Sequence, residues 1–78
     1  MARLRINAGR QAGILPGDLV GAIANEAGIS SRAIGAIDIA DRYSLVEVAE
    51  EVADQVRQAL RRSTLKGKKV TVQPLEEP

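Results

Sequence analysis

Polar and apolar residues alternate through residues 3–8, which predicts a half-buried strand with Leu4, Ile6 and Ala8 facing a core and Arg3, Arg5 and Asn7 facing away. A glycine-bounded polar stretch, 9–13, reads as a loop. Pro16, Gly17 and Asp18 then open a helix, with proline tolerated in the first turn and the aspartate close to the positive end of the helix dipole. Leu19, Val20, Ile23, Ala24 and Ala27 recur at helical spacing, and Gly28 is placed to end the helix in the left-handed conformation. A second alternating run covers 34–39 and a third covers 43–48. The short link at 40–42 predicts an antiparallel hairpin. Residues 49–62 place Ala49, Val52, Val56, Ala59 and Leu60 on one stripe, with acidic residues early and arginines late, which complements the dipole of a second helix. Lys66-Gly67-Lys68 reads as a turn, and Val70 and Val72 alternate with Lys69, Thr71 and Gln73 in a last strand.

The order βαββαβ predicts an α+β sandwich of the ferredoxin-like, split βαβ kind: a four-stranded antiparallel sheet with both helices on one face. The expected domain spans 1–74, followed by a loose acidic tail at 75–78. In this topology the first and last strands are neighbours, so Arg3, Arg5 and Asn7 are expected beside Lys69, Thr71 and Gln73. The third strand adds Tyr43, Leu45 and Glu47 to the same open face.

Composition narrows the chemistry. The chain has 78 residues, 45% hydrophobic, with no Cys, His, Trp or Phe, and Tyr43 is its single aromatic side chain. A domain this small has little room for a deep pocket. Thiol nucleophiles, His-based triads, disulfides and zinc sites of the usual ligand types are excluded, and no cofactor is expected. No apolar run approaches the roughly 20 residues a membrane span needs, and the charges at Arg3 and Arg5 interrupt any targeting segment, so a cytoplasmic protein without membrane contact is expected. Asp38 and Asp41 fit a strand surface and a turn better than a catalytic pair, and Glu50 and Glu51 fit dipole complementation. The loop at 9–13 lacks the spacing of a nucleotide-binding loop. Pro16-Gly17-Asp18 could offer backbone amides to an anion, which the charge of Asp18 opposes.

Formal charge is only +1, from 11 basic and 10 acidic residues, but the basic residues gather at Arg3, Arg5 and Arg10 and again from Arg61 to Lys69. Where the fold brings these ends together, a basic face forms despite the near-neutral sum. Open sheets of this topology commonly hold single-stranded RNA by stacking bases on rings. Here Tyr43 either stacks a base or covers apolar neighbours, and arginine planes can stack in place of rings.

The run from Pro16 to Ile29, continued by Arg32-Ala33-Ile34-Gly35-Ala36-Ile37-Asp38-Ile39 and Ser44-Leu45-Val46-Glu47-Val48, resembles the C-terminal RNA-recognition-motif-like domain of bacterial DEAD-box ATP-dependent RNA helicases. The resemblance covers nearly all of 3–73. It implies a noncatalytic module that anchors a helicase core to structured RNA, such as ribosomal RNA. The chain carries neither the Gly-Lys-Thr nor the Asp-Glu-Ala-Asp motif of such a core, so no ATPase activity is expected of it. Aromatics that the resemblance leads one to expect at positions 5, 40 and 45 are replaced by Arg5, Ala40 and Leu45, and the proline that often starts the second helix is Ala49.

Two functional readings follow. In the first, Arg3, Arg5, Asn7, Arg10, Arg42, Lys66, Lys68 and Lys69 meet RNA phosphates while Tyr43 stacks one base. In the second, the departing face has diverged or been engineered, and Arg5, Ala40, Leu45 and Glu47 form a protein interface, either for weak self-association or for a designed partner.

Overall fold

A computed structural model describes residues 1–74, and the tail expected at 75–78 lies outside the described residues. Strands β1 (Ala2–Ile6), β2 (Ile34–Ile39), β3 (Ser44–Val48) and β6 (Val72–Pro74) form one sheet in the order β2-β3-β1-β6, with β1 antiparallel to both β3 and β6 and β2 antiparallel to β3. Helices α1 (Pro16–Ala27) and α2 (Glu50–Arg61) pack on each other and on one sheet face. Leu4, Ile6, Val46 and Val48 from the sheet meet Leu19, Ile23, Val56 and Leu60 from the helices in a buried core. Rings are unnecessary there, because aliphatic side chains at periods of two and about 3.6 fill the space.

The expected four-stranded α+β architecture is therefore observed, with two departures. Lys68 is not part of the turn, and Lys69 does not begin the last strand. They form β5 (Lys68–Lys69), which pairs with β4 (Thr64–Leu65) in a separate two-stranded ribbon. Its two-residue turn has φ +51° at Lys66 and +77° at Gly67, the handedness that matches the twist of a tight hairpin. The expected row of Lys69, Thr71 and Gln73 therefore lies beside β1 only in part. Gln73 lies opposite Arg5 and Thr71 pairs with Asn7, while Lys69 belongs to the ribbon.

The second departure is a bulge in β2. Ile34 pairs with Val48 and Ile37 with Val46, so Gly35 and Ala36 together oppose Glu47. Ile34 and Ile37 are an odd number of residues apart and both turn toward the helices, which a regular strand cannot arrange.

The ends of α1 follow their residues. The Asp18 carboxylate accepts from the Leu15 backbone N–H at 2.8 Å, and Gly28 ends the helix at φ +67°. Gln55 on α2 donates to the carbonyl of Ala27 at 2.6 Å, joining the helices where α1 terminates.

Candidate nucleic-acid interface

The face of the sheet away from the helices carries Arg3, Arg5 and Asn7 from β1 and its continuation, Leu45 and Glu47 from β3, and Asp38 from β2. Pairing sets Arg3 against Glu47 and Arg5 against Leu45. Arg3 Nε donates to Glu47 Oε2 at 3.3 Å, and Glu47 Oε1 accepts from the Ala36 backbone N–H at 3.3 Å. One carboxylate therefore ties β1 to the bulge of β2 across β3. The Ala36 amide first, and the Arg3 guanidinium second, hold the Glu47 carboxyl below its ordinary range. Leu45, Glu47, Arg3, Ala36 and Asp38 line a shallow depression of about 200 Å³.

At the centre of the face the Arg5 guanidinium lies 4.5 Å from the centroid of the Tyr43 ring. This pairing joins a diagonal of the sheet, since Arg5 sits opposite Leu45. Tyr43 stays 37% exposed, with one cation already stacked against it.

The polar end of the molecule lies where Ile6, Ile39 and Ser44 meet. Gly9 is the pivot: a Cβ there would run into the Ala40 carbonyl oxygen and the Tyr43 backbone, so only glycine lets the loop after β1 approach the β2–β3 turn. That approach lets the Arg10 and Gln11 amides donate to the carbonyls of Ala40 and Asp41. Arg10 also donates through Nη2 to the Ile39 carbonyl at 2.8 Å and pairs with Asp41 at 3.7 Å. Ala40 closes the turn, its N–H donating to the Tyr43 carbonyl. Inside, the Ser44 hydroxyl is fully buried and donates to the Ala8 carbonyl at 2.6 Å.

This end gathers cations from distant parts of the sequence. Strands and helices alternate in direction, so the loop after β1, the β2–β3 turn, the start of α1, the last turn of α2 and the β4–β5 ribbon share it. Lys66 pairs with Asp18 at 3.5 Å. Arg42 and Lys68 are exposed, have no acidic partner among the described residues, and line a groove of about 280 Å³ with Asn7, Gln11 and Asp41. The opposite end carries Glu26, Glu50 and Glu51 at the end of α1 and the start of α2.

Of the expected site residues, the structure brings Asn7, Arg42 and Lys68 to one groove and Arg3, Arg5, Tyr43, Leu45 and Glu47 to one face. Lys66 and Arg10 are engaged in structural contacts beside the groove, Ala40 serves the turn, and Lys69 lies on the other side of the ribbon from Lys68. Sequence reading missed the groove because the loop after β1 and the β2–β3 turn that bound it come together only in the tertiary structure. It also missed the ribbon, for which the two-residue Lys66-Gly67 turn was the available signal.

The sequence matches a known family and several proteins. A family model described as DbpA RNA binding domain matches residues 3–74. The ATP-dependent RNA helicase DeaD of Buchnera aphidicola subsp. Schizaphis graminum is 37% identical over 94% of this chain, and that of Escherichia coli K12 is 37% identical over 96%. The ATP-dependent RNA helicase DbpA of Escherichia coli K12 is 33% identical over 97%. The chain spans 12% of the length of either DeaD protein and 17% of the DbpA protein. With the family model matching residues 3–74, the chain belongs to the DbpA RNA-binding domain family, the RNA-binding domain of DEAD-box helicases.

Proposed function

We propose that this domain anchors a helicase to structured RNA by gripping the phosphate backbone at the polar end of the sheet, with the open face in a supporting role. The observation that carries this reading is the groove holding Arg42 and Lys68. Both cations lack acidic partners among the described residues, and both stand beside the amide groups of Asn7 and Gln11. Arginine, lysine and amide side chains are among the groups that contact phosphate oxygens and sugars.

The face itself is poorly equipped as a single-strand platform. It has one ring, covered by Arg5, and two carboxylates, Asp38 and Glu47. A base could still replace Arg5 over Tyr43, because base stacking contributes about 1–3 kcal/mol. An exposed cation–π pair contributes only about 0.5–1 kcal/mol. Protein association through Arg5, Ala40, Leu45 and Glu47 has less support: Glu47 is occupied by Arg3 and Ala36, and Ala40 by the turn.

Titration of the full chain with a hairpin RNA and with an unpaired strand of equal length, each at two salt concentrations, tests the reading. The expected result is tighter binding of the hairpin and a steep loss of affinity with salt. Affinity that is unchanged on raising salt would overturn phosphate-led binding, and preference for the unpaired strand would return the weight to the face.

A further inference from the structure

We propose a second phosphate-binding groove along the outer edge of β6, in which Arg61 and Lys69 hold the same RNA that enters the groove of Arg42 and Lys68. This rests on the RNA-binding reading above and extends it to an element, the last turn of α2, that the reading did not include.

The geometry begins with the ribbon. Adjacent residues of a strand point to opposite sides. Lys68 accordingly lines the groove at the polar end, while Lys69 lines a separate depression of about 350 Å³ with Arg61, Val70, Thr71 and Gln73. The two-residue turn at Lys66-Gly67 fixes this division, since it sets which lysine faces which side. β6 is the edge of the sheet, so the depression is open to a long ligand instead of being covered by another strand.

Charge selects the ligand. Both Arg61 and Lys69 are exposed, and among the described residues neither has an acidic partner and no carboxylate lines the depression. The remaining polar groups are the Thr71 hydroxyl and the Gln73 amide, which suit phosphate oxygens and 2′-hydroxyls. There is no ring. The two grooves lie on either side of one ribbon, and Asn7, in the first groove, bonds to Thr71, in the second. An RNA backbone that crosses the ribbon would meet their cations as one track, Arg42 and Lys68 on one side and Lys69 and Arg61 on the other. Such a track follows a backbone and is indifferent to base sequence.

Arg61→Gln and Lys69→Gln, singly and together, test the track, with Arg32→Gln as a control that removes the same charge at the opposite end of the sheet. Affinity of each full chain for one hairpin RNA is measured across a salt series, and thermal melts establish that each variant is folded. The double variant is expected to bind on the order of tenfold more weakly at low salt, with a salt slope smaller by about 1–2, while Arg32→Gln is close to the parent. If the parent binds the hairpin and the double variant binds equally well, the second groove is rejected and the RNA-binding reading stands. Equal weakening by Arg32→Gln also rejects it, in favour of net charge alone. If the parent does not bind the hairpin, the reading beneath it fails as well.

Discussion

Ser44 illustrates how a single side chain secures the functional end. It points into the core where β1 leaves the sheet, and its hydroxyl satisfies a carbonyl that no neighbouring strand reaches. Ser44→Ala orphans the Ala8 carbonyl and is expected to lower unfolding free energy by about 1–3 kcal/mol in urea melts. Glu47 acts at the surface, where its contribution depends on ionisation. Its carboxyl is held below the ordinary value of 4.5, so the stabilisation is full above that value and is lost as pH falls through the lowered one. Glu47→Gln is expected to be less stable than the parent at neutral pH, and the gap should narrow as acid unfolding melts proceed below pH 4.5. An unchanging gap would mean that packing, and not charge, is what the glutamate supplies.

Two connecting elements hold the cations in place. The loop after β1 docks on the β2–β3 turn through Gly9, so Gly9→Ala must push backbone from backbone and is expected to cost about 3 kcal/mol. Exposed cations on that turn, Arg42 above all, should lose RNA affinity in the same variant. The β4–β5 ribbon depends on Gly67 for a different reason: a Cβ there meets nothing, but φ is +77°. Gly67→Ala is expected to cost about 1–2 kcal/mol in thermal or urea melts from conformation alone. The ribbon was hidden in the sequence because Lys69 reads equally well as the start of an alternating strand, and its two strands, of two residues each, are too short to show a hydrophobic period. By contrast the two helices and the strands around Ile6 and Val46 were legible, since their apolar periodicity is the same quantity that packing uses. The bulge at Gly35 and Ala36 left a trace, an isoleucine pair out of phase, whose meaning only the pairing with Glu47 supplies.

Across the whole molecule the governing property is charge polarity. A net charge of +1 gives no hint of polyanion binding, yet the up-and-down arrangement of elements collects Arg10, Arg42, Arg61, Lys66, Lys68 and Lys69 at one end. RNA affinity is therefore expected to fall steeply with salt, with Arg42→Gln and Lys68→Gln each lowering the slope of log affinity against log salt by about 0.7–0.9. Arg5→Ala is expected to do less, since it removes one charge but uncovers the Tyr43 ring for a base. Its loss exceeding that of Arg42→Gln in the same titration would move the binding site to the sheet face.

The sequence by itself determined the order of the two helices and the four strands of the main sheet, the aliphatic core, the family and the inventory of cations, because each is encoded in local periodicity or in residue identity. Only the tertiary structure decided which cations are spent on Asp18, Asp41 and Glu47 and which have no acidic partner among the described residues, that Arg5 covers Tyr43, and that Lys68 and Lys69 part to opposite sides of a ribbon. Those outcomes depend on distances between residues far apart in the chain, set by a glycine-dependent loop contact and a left-handed turn.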